Sequence, residues 1–178
     1  IEKANEIAAA NPGSFIPQQF ENPANPNAHY KTTGPEIWRD MEGRVDVFIA
    51  TAGTGGTVSG TAKYLKEKNP DLYVVAIEPE DSPMISKGVA GPHKIQGIGA
   101  NFIPGIYDSK VVDEVYLTST EKAGTAARAA AAEEGIFVGI SSGAALECAL
   151  TVAARPENKG KRIVALLPDT DERYLSTW

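Results

Sequence analysis

A dense cluster of glycine and threonine, AGTGGT at residues 52–57, is the first stretch of this sequence whose residue types suggest chemistry. It follows an apolar run of strand length and precedes a helical pattern. Glycine lets a backbone approach a ligand closely, and successive N–H groups at a helix N-terminus bind anions. The pattern favours a site for one compact phosphate group. A helix-start turn that uses glycine only for its geometry is the alternative.

Two well-known nucleotide motifs fit this turn poorly. It lacks the lysine of the pattern GxxxxGK[ST], which argues against an ATPase or GTPase. A dinucleotide fold would place its third glycine at position 58, where Val58 stands. Glu78 does end the next strand, where an acid that binds ribose would lie. An NAD-dependent oxidoreductase is therefore kept as a remote alternative.

Two further polar stretches could contact a ligand. In GISSGAA at 139–145, Ser141 or Ser142 would cap a helix or direct a hydroxyl at a heteroaromatic ring nitrogen. A serine hydrolase does not fit, because no histidine follows Ser141 in the chain. Gln18 and Gln19 end an extended run before a turn-rich loop. Their amides would bind a carboxylate or lie on the surface.

Alternating strands and helices must position these stretches. Nearly continuous apolar runs of strand length suit strands buried on both faces of a parallel sheet. The predicted strands lie within residues 44–52, 73–79, 113–119 and 162–168. Helices are predicted at 1–10, at about 27–40, and after residues 55, 119 and 140. The fold class is α/β, a mainly parallel twisted sheet flanked by helices. The glycine-rich and proline-rich stretch 81–107 is expected to move beside the site.

Composition excludes several other classes of function. The 178 residues carry a formal net charge of −6 with scattered cations, which argues against nucleic acid or an anionic membrane as partner. No apolar run is long enough to span a bilayer. Cys148 is the only cysteine, and His29 and His93 lie far apart in sequence, so no metal site is expected. The compartment indicated is the cytoplasm.

Five stretches together resemble the cysteine synthase (O-acetylserine sulfhydrylase) family of fold-type II pyridoxal-phosphate enzymes. They stand in the family's order and spacing and cover essentially the whole chain: QQFENPANPNAHYKTTGPEIW, AGTGGTVSG, GPHKIQGIGANFIPG, FVGISSGAA and ERYLST. The resemblance implies the tryptophan synthase β-like fold. Residues 1–178 would form one α/β domain that binds the phosphate of pyridoxal 5′-phosphate, the larger C-terminal domain of a two-domain enzyme.

The resemblance also implies roles for particular residues. Ser141 matches the residue that hydrogen-bonds the pyridine nitrogen, which leaves Ser142 to cap its helix. Gln19 matches the glutamine that contacts the substrate carboxylate. Gly97 matches a backbone contact near the substrate amine, in a segment that moves on closure. The phosphate cup would consist of Gly53, Thr54, Gly55, Gly56 and Thr57.

The family reaction would make L-cysteine from O-acetyl-L-serine and sulfide through an aminoacrylate. The resemblance further implies a homodimer and docking of the C-terminal tail of serine acetyltransferase. A cystathionine β-synthase-like β-replacement is the close enzymatic alternative. A non-catalytic module that binds the cofactor or that tail is the alternative of another class. O-phosphoserine in place of O-acetylserine stays open as the donor.

The sequence departs from the family in three places. The lysine that holds the cofactor as a Schiff base, in a Ser-x-Lys-Asp-Arg context, has no counterpart here, and neither does the substrate loop Thr-Ser-Gly-Asn-Thr-Gly. The chain therefore resembles the C-terminal half of a longer enzyme, carries no catalytic residue of its own, and is expected to be inactive alone. Asp171 replaces a usual glycine, and aspartate would tolerate a positive φ there.

Overall fold

Four parallel strands form the centre of the fold. The computed structural model describes residues 1–176, and its strands are β1 (Val47–Thr51), β2 (Tyr73–Pro79), β3 (Glu114–Thr118) and β4 (Ile163–Ala165). Their order in the sheet is β3-β2-β1-β4. Ile49 of β1 lies in register with Val75 and Ala165 on its two neighbours. The predicted α/β class and parallel sheet are confirmed.

The described part of the chain contains seven α-helices. They are α1 (Glu2–Ala10), α2 (Ala24–Lys31), α3 (Thr33–Asp40), α4 (Gly56–Lys68), α5 (Met84–Lys87), α6 (Thr120–Glu134) and α7 (Ile140–Ala153). The single helix predicted at about 27–40 is wrong, because the chain breaks at Thr32 into α2 and α3. Pro35 explains the break, since it has no N–H to donate to the Lys31 carbonyl and its ring would clash there.

Thr118-Ser119-Thr120-Glu121 has the sequence pattern of a capping box, which predicts Thr118 as the N-cap of α6, and this prediction is wrong by one residue. Ser119 is the N-cap, and its hydroxyl accepts from the Lys122 N–H at 3.2 Å. Thr118 is fully buried and donates instead to Glu147 on α7 at 3.0 Å. Because the Thr118 hydroxyl bonds to Glu147, Thr118 does not cap α6 as its position in the sequence suggested.

The two faces of the sheet bury separate apolar clusters. Phe48 and Ala50 point toward α4, where they pack with Val58 and Leu65. The alternate residues of β1 and β2 face α7, and the cluster there contains Val47, Ile49, Val75, Ile77, Ala144, Ala145, Cys148 and Val152. Helices on both faces leave the carboxyl edge of the sheet as the place where a ligand can reach strand ends.

Residues 81–107 contain only one short helix, α5, in agreement with the irregular stretch predicted there. The expected motion of this segment stays a prediction. Within residues 1–176, no helix is long and apolar enough to cross a membrane. The same residues contain no cluster of three or more histidine, cysteine, aspartate or glutamate side chains suited to a metal ion.

Candidate functional site

The glycine turn, residues 52–57, lies at the carboxyl edge of the sheet between β1 and α4. β1 has β2 on one side and β4 on the other, so the chain order reverses beside it. Open parallel sheets bind ligands outside the carboxyl ends of their strands, at such a reversal. The predicted strand, turn and helix are all confirmed at this place.

The turn presents backbone N–H groups without protein partners. Gly55 is the N-cap of α4 with a φ of 81°, and the Gly56 N–H that follows donates to Thr54 Oγ1 at 3.2 Å. Within residues 1–176, no acceptor is found for the N–H groups of Gly53, Thr54, Gly55 and Thr57. Unpaired amide groups at a helix N-terminus, reinforced by the helix dipole, form an anion-binding site.

Helix α2 supports the two threonine hydroxyls of the turn. Asn25 Nδ2 donates to Thr54 Oγ1 at 3.0 Å, and His29 Nε2 lies 3.1 Å from Thr57 Oγ1. The other ring nitrogen of His29 lies 2.9 Å from Thr33 Oγ1. Burial lowers the pKa of His29 below its ordinary value, so the ring is neutral near pH 7.

Sequence reasoning missed Asn25 and His29 as members of the site. From the sequence alone, His29 is weighed as a metal ligand or as the histidine of a hydrolase, and Asn25 as part of a turn-rich loop. Their spacing of four residues puts both on one face of a helix. That spacing was the available signal, but it required the correct start of α2 at Ala24.

Gly53, Gly97 and Ser141 converge beside the turn. A Cβ on Gly53 would strike the carbonyl oxygen of Gly97, and a Cβ on Gly97 would lie 3.9 Å from Ser141 Oγ. The Gly99 N–H donates to the Ala52 carbonyl at 3.1 Å and fixes this segment against the end of β1. Three residues proposed for one site thus meet, although they are far apart in sequence.

The two serines of α7 have different surroundings. Gly139 is the N-cap, so the prediction that Ser142 caps the helix is wrong. Ser142 is fully buried and donates to the Asp169 carbonyl at 3.1 Å, which ties α7 to the chain beyond β4. Ser141 is 4% exposed, and within residues 1–176 its hydroxyl makes no hydrogen bond.

Gln19 lies in an exposed turn that reaches the glycine turn through one side chain. Asn25 Nδ2 donates to the Gln19 carbonyl at 2.8 Å as well as to Thr54. The preceding residue, Gln18, has a φ of 54°, a left-handed conformation that helps the extended run reverse. No hydrogen bond of the Gln19 side-chain amide is found within residues 1–176.

The acid that a dinucleotide site would need is already engaged. Glu78 is 1% exposed, and its carboxylate accepts from the N–H groups of Ile85 and Ser86 at 2.7 and 2.9 Å. It satisfies the first turn of α5 and is not open to a ribose hydroxyl. Val58, in the first turn of α4, packs in the core between this helix and the sheet. Both findings weigh against the NAD-dependent alternative.

Asp171 does not adopt the left-handed backbone that its replacement of glycine suggested. Burial and the nearby Asp169 raise the pKa of its carboxyl. Asp169 accepts a hydrogen bond from the Tyr174 hydroxyl beside the start of α7. The last threonine of the ERYLST stretch, residue 177, lies outside the described residues.

Known proteins are similar to this chain in sequence and in fold. Residues 1–169 match the family described as pyridoxal-phosphate dependent enzyme. Cysteine synthase A of Escherichia coli (strain K12) is 53% identical over 186 residues, which cover 99% of this chain and 58% of that protein. A cysteine synthase structure from Entamoeba histolytica is 47% identical with a TM-score of 0.96, and the match covers 99% of this chain and 52% of that one.

An O-acetylserine dependent cystathionine beta-synthase from Helicobacter pylori is also similar in structure. It is 41% identical with a TM-score of 0.93, and the match covers 99% of this chain and 57% of that one. The resemblance to cysteine synthases is confirmed. This chain spans between about half and three fifths of the length of the relatives that it matches.

Proposed function

We propose that this chain, which belongs to the pyridoxal-phosphate dependent enzyme family, provides the phosphate-binding part of a cysteine synthase. The whole enzyme would make L-cysteine from O-acetyl-L-serine and sulfide, the activity that the names of its relatives indicate. The observation that carries this proposal is the meeting of unpaired N–H groups with the Ser141 hydroxyl at one edge of the sheet.

The residues present suit the cofactor's phosphate. Four N–H groups of the turn, for which residues 1–176 provide no acceptor, and the N-terminus of a 13-residue helix favour a compact dianion. Gly53, Thr54, Gly55, Gly56 and Thr57 would hold the phosphate. Gly55 has a left-handed backbone, and a Cβ built on it would lie only 2.9 Å from Tyr107 Cβ, so this position of the turn requires glycine.

When bound, pyridoxal phosphate supplies an electron-accepting ring that lets a β-substituent leave an amino acid and another replace it. Ser141 would hydrogen-bond the ring nitrogen without supplying a charge. Gln19 would bind the substrate carboxylate. The Gly97 backbone would lie near the substrate amine, and its segment would exclude water from the site.

We further propose that this chain alone is inactive, because none of its lysines has the context of the family's cofactor-anchoring lysine. Within residues 1–176, no hydrogen bond or ion pair brings a lysine amine to the glycine turn or to Ser141. A homodimer, a cytoplasmic location and docking of the serine acetyltransferase tail are proposals that rest on the family resemblance.

Borohydride trapping tests this proposal. Purified protein is incubated with pyridoxal phosphate, reduced, and analysed by intact and peptide mass spectrometry. An adduct on one lysine outside residues 1–178 supports a longer enzyme whose cofactor domain is this chain. No site-specific adduct at an intact mass of 18.8 kDa supports non-covalent binding alone. One specific adduct within residues 1–178, with cysteine formation, contradicts the inactivity of the chain.

A cystathionine-forming β-replacement is the second candidate, favoured by the similarity to the Helicobacter pylori enzyme. The two functions differ in the nucleophile that replaces the β-substituent. Assays of the complete enzyme with O-acetylserine should therefore compare sulfide with homocysteine. A higher kcat/KM with sulfide supports cysteine synthase, and a higher value with homocysteine supports the alternative.

A further inference from the structure

We propose that Asn25 is a positioning residue that orients the Thr54 hydroxyl toward the phosphate and couples the glycine turn to the loop that carries Gln19. This inference rests on the proposed function, because it concerns the same phosphate site. Asn25 itself is not placed in contact with the ligand.

The Asn25 amide bridges two segments that would bind different parts of a ligand. Its Nδ2 atom donates to the Gln19 carbonyl at 2.8 Å and to Thr54 Oγ1 at 3.0 Å. Its Oδ1 atom occupies the space beside Gly56, where a Cβ would strike it. Asn25 thus fills the junction, and Gly56 is required because the amide lies against it.

The bond to Thr54 sets the direction of that hydroxyl. A threonine oxygen has two acceptor sites and one hydrogen to donate. Thr54 Oγ1 accepts from Asn25 Nδ2 and from the Gly56 N–H, at 3.0 and 3.2 Å. Both acceptor sites are then used, so the hydrogen is left to donate to another acceptor. A phosphate oxygen in the turn is such an acceptor.

The hydrogen bond from Asn25 to the Gln19 carbonyl links the glycine turn to the loop that carries Gln19. The Gln18 carbonyl accepts from the N–H groups of Glu21 and Asn22 at 2.9 and 2.7 Å, which closes the loop. Within residues 1–176, Asn25 provides the direct side-chain hydrogen bonds between this loop and the glycine turn. A phosphate that immobilises Thr54 should therefore also order the Gln19 loop.

The test compares two ligands that differ only in the phosphate. 4′-Deoxypyridoxine 5′-phosphate has no aldehyde, so its binding does not depend on a lysine, and 4′-deoxypyridoxine lacks the phosphate as well. Their affinities for the chain are measured by calorimetry in wild type, Asn25→Leu and Asn25→Ala. Asn27→Leu is the matched control, because Asn27 is exposed on the same helix and its side chain makes no hydrogen bond within residues 1–176.

Asn25→Leu and Asn25→Ala should bind the phosphate ligand about tenfold more weakly, because the Thr54 hydroxyl, no longer oriented by Asn25, loses its hydrogen bond to the charged phosphate. Affinity for the ligand without phosphate should change less than about twofold, and Asn27→Leu should match wild type. In Asn25→Ala, the further change Thr54→Val should cost little, because the two residues act as one unit. Amide exchange at Glu21 and Asn22 should slow on binding in wild type only.

Three results would overturn the inference while leaving the proposed function standing: unchanged phosphate affinity in folded Asn25 variants, equal losses for both ligands, or additive losses with Thr54→Val. Thermal melting identifies a variant that has lost its fold, and Asn25→Ala then replaces Asn25→Leu. A wild-type chain that binds both ligands equally would instead contradict the proposed phosphate site itself.

Discussion

Two adjacent serines at the start of α7 show that the burial of a residue does not by itself define its role. Ser141 and Ser142 are both buried, yet only Ser142 donates a hydrogen bond to the protein, at the Asp169 carbonyl. A hydroxyl that no group of the described chain engages keeps its donor and acceptor sites for a ligand. The structure therefore separates a serine available to a ligand from a serine that holds α7 in place.

The serines should respond differently to removal of the hydroxyl. Ser142→Ala should lose about 0.5–1.5 kcal/mol of the free energy of unfolding, because it removes a hydrogen bond to the Asp169 carbonyl, which keeps the Gly139 N–H as its other donor. Ser141→Ala should change stability by less than about 0.5 kcal/mol and weaken binding of 4′-deoxypyridoxine 5′-phosphate. Urea denaturation and calorimetry measure the two effects. Equal stability losses in both variants would show that Ser141 also has a structural bond.

Gly97 combines a left-handed backbone with a position facing Ser141. Gly97→Ala should cost about 1–2 kcal/mol of stability because φ is 87°, and its methyl group should also hinder the ring of a bound ligand. Gly88→Ala is the matched control, since Gly88 has a φ of 67° and open space around it. Both should lose stability, and only Gly97→Ala should lose ligand affinity. Unchanged affinity in Gly97→Ala would remove this residue from the site.

Secondary-structure elements could be predicted where local chemistry decides them. The apolar run predicted at 73–79 coincides with β2 at both boundaries. The Asn69-Pro70 pair, a sequence signal that stops helices, directly follows the last residue of α4, Lys68. The break between α2 and α3 was missed because Pro35 lies in the first turn of a new helix, where proline is tolerated. The cap of α6 was missed because Thr118 bonds to α7, which sequence proximity does not reveal.

The edge strand β3 is joined to the end of α7 by an ion pair that should be sensitive to pH. The Glu114 carboxylate accepts from Arg155 Nη1 and Nη2 at 2.7 and 2.8 Å, and from the Tyr73 hydroxyl at 3.0 Å. The bonds to Arg155 lower the pKa of Glu114 below its ordinary value. A lowered carboxyl pKa stabilises the fold above the pKa of the unfolded chain, and this contribution is lost as pH falls through the folded value.

Glu114→Gln should therefore destabilise the protein at pH 7, by about 1–2 kcal/mol. The difference in stability from wild type should shrink as the pH is lowered through the carboxyl range, because the protonated glutamate of the wild type is then uncharged, like the glutamine of the variant. Urea denaturation across pH 3 to 7 measures this difference, and Glu80→Gln serves as an exposed control. A difference that is independent of pH would mean that packing, and not charge, explains the loss.

At the scale of the whole molecule, the carboxyl edge of the sheet explains why distant motifs form one site. The sequence predicted Gly53–Thr57 at a strand end and Ser141 near a helix start, but spacing alone does not reveal that Gly97 lies between them. The folded chain supplies that information, since the Gly99 N–H donates to the Ala52 carbonyl and holds the Gly97 segment at the end of β1. The family resemblance anticipated this meeting, whereas Asn25 and His29 became evident only from side-chain contacts.

Amide NMR can show whether the glycine turn binds the phosphate of pyridoxal phosphate, as we propose. Uniformly ¹⁵N-labelled chain is titrated with pyridoxal 5′-phosphate and, separately, with pyridoxal. We expect the N–H resonances of Gly53, Thr54, Gly55 and Thr57 to shift together with the phosphate-bearing ligand and to stay in place with pyridoxal. Unperturbed turn resonances with saturating pyridoxal phosphate, or equal shifts with both ligands, would contradict phosphate binding at this turn.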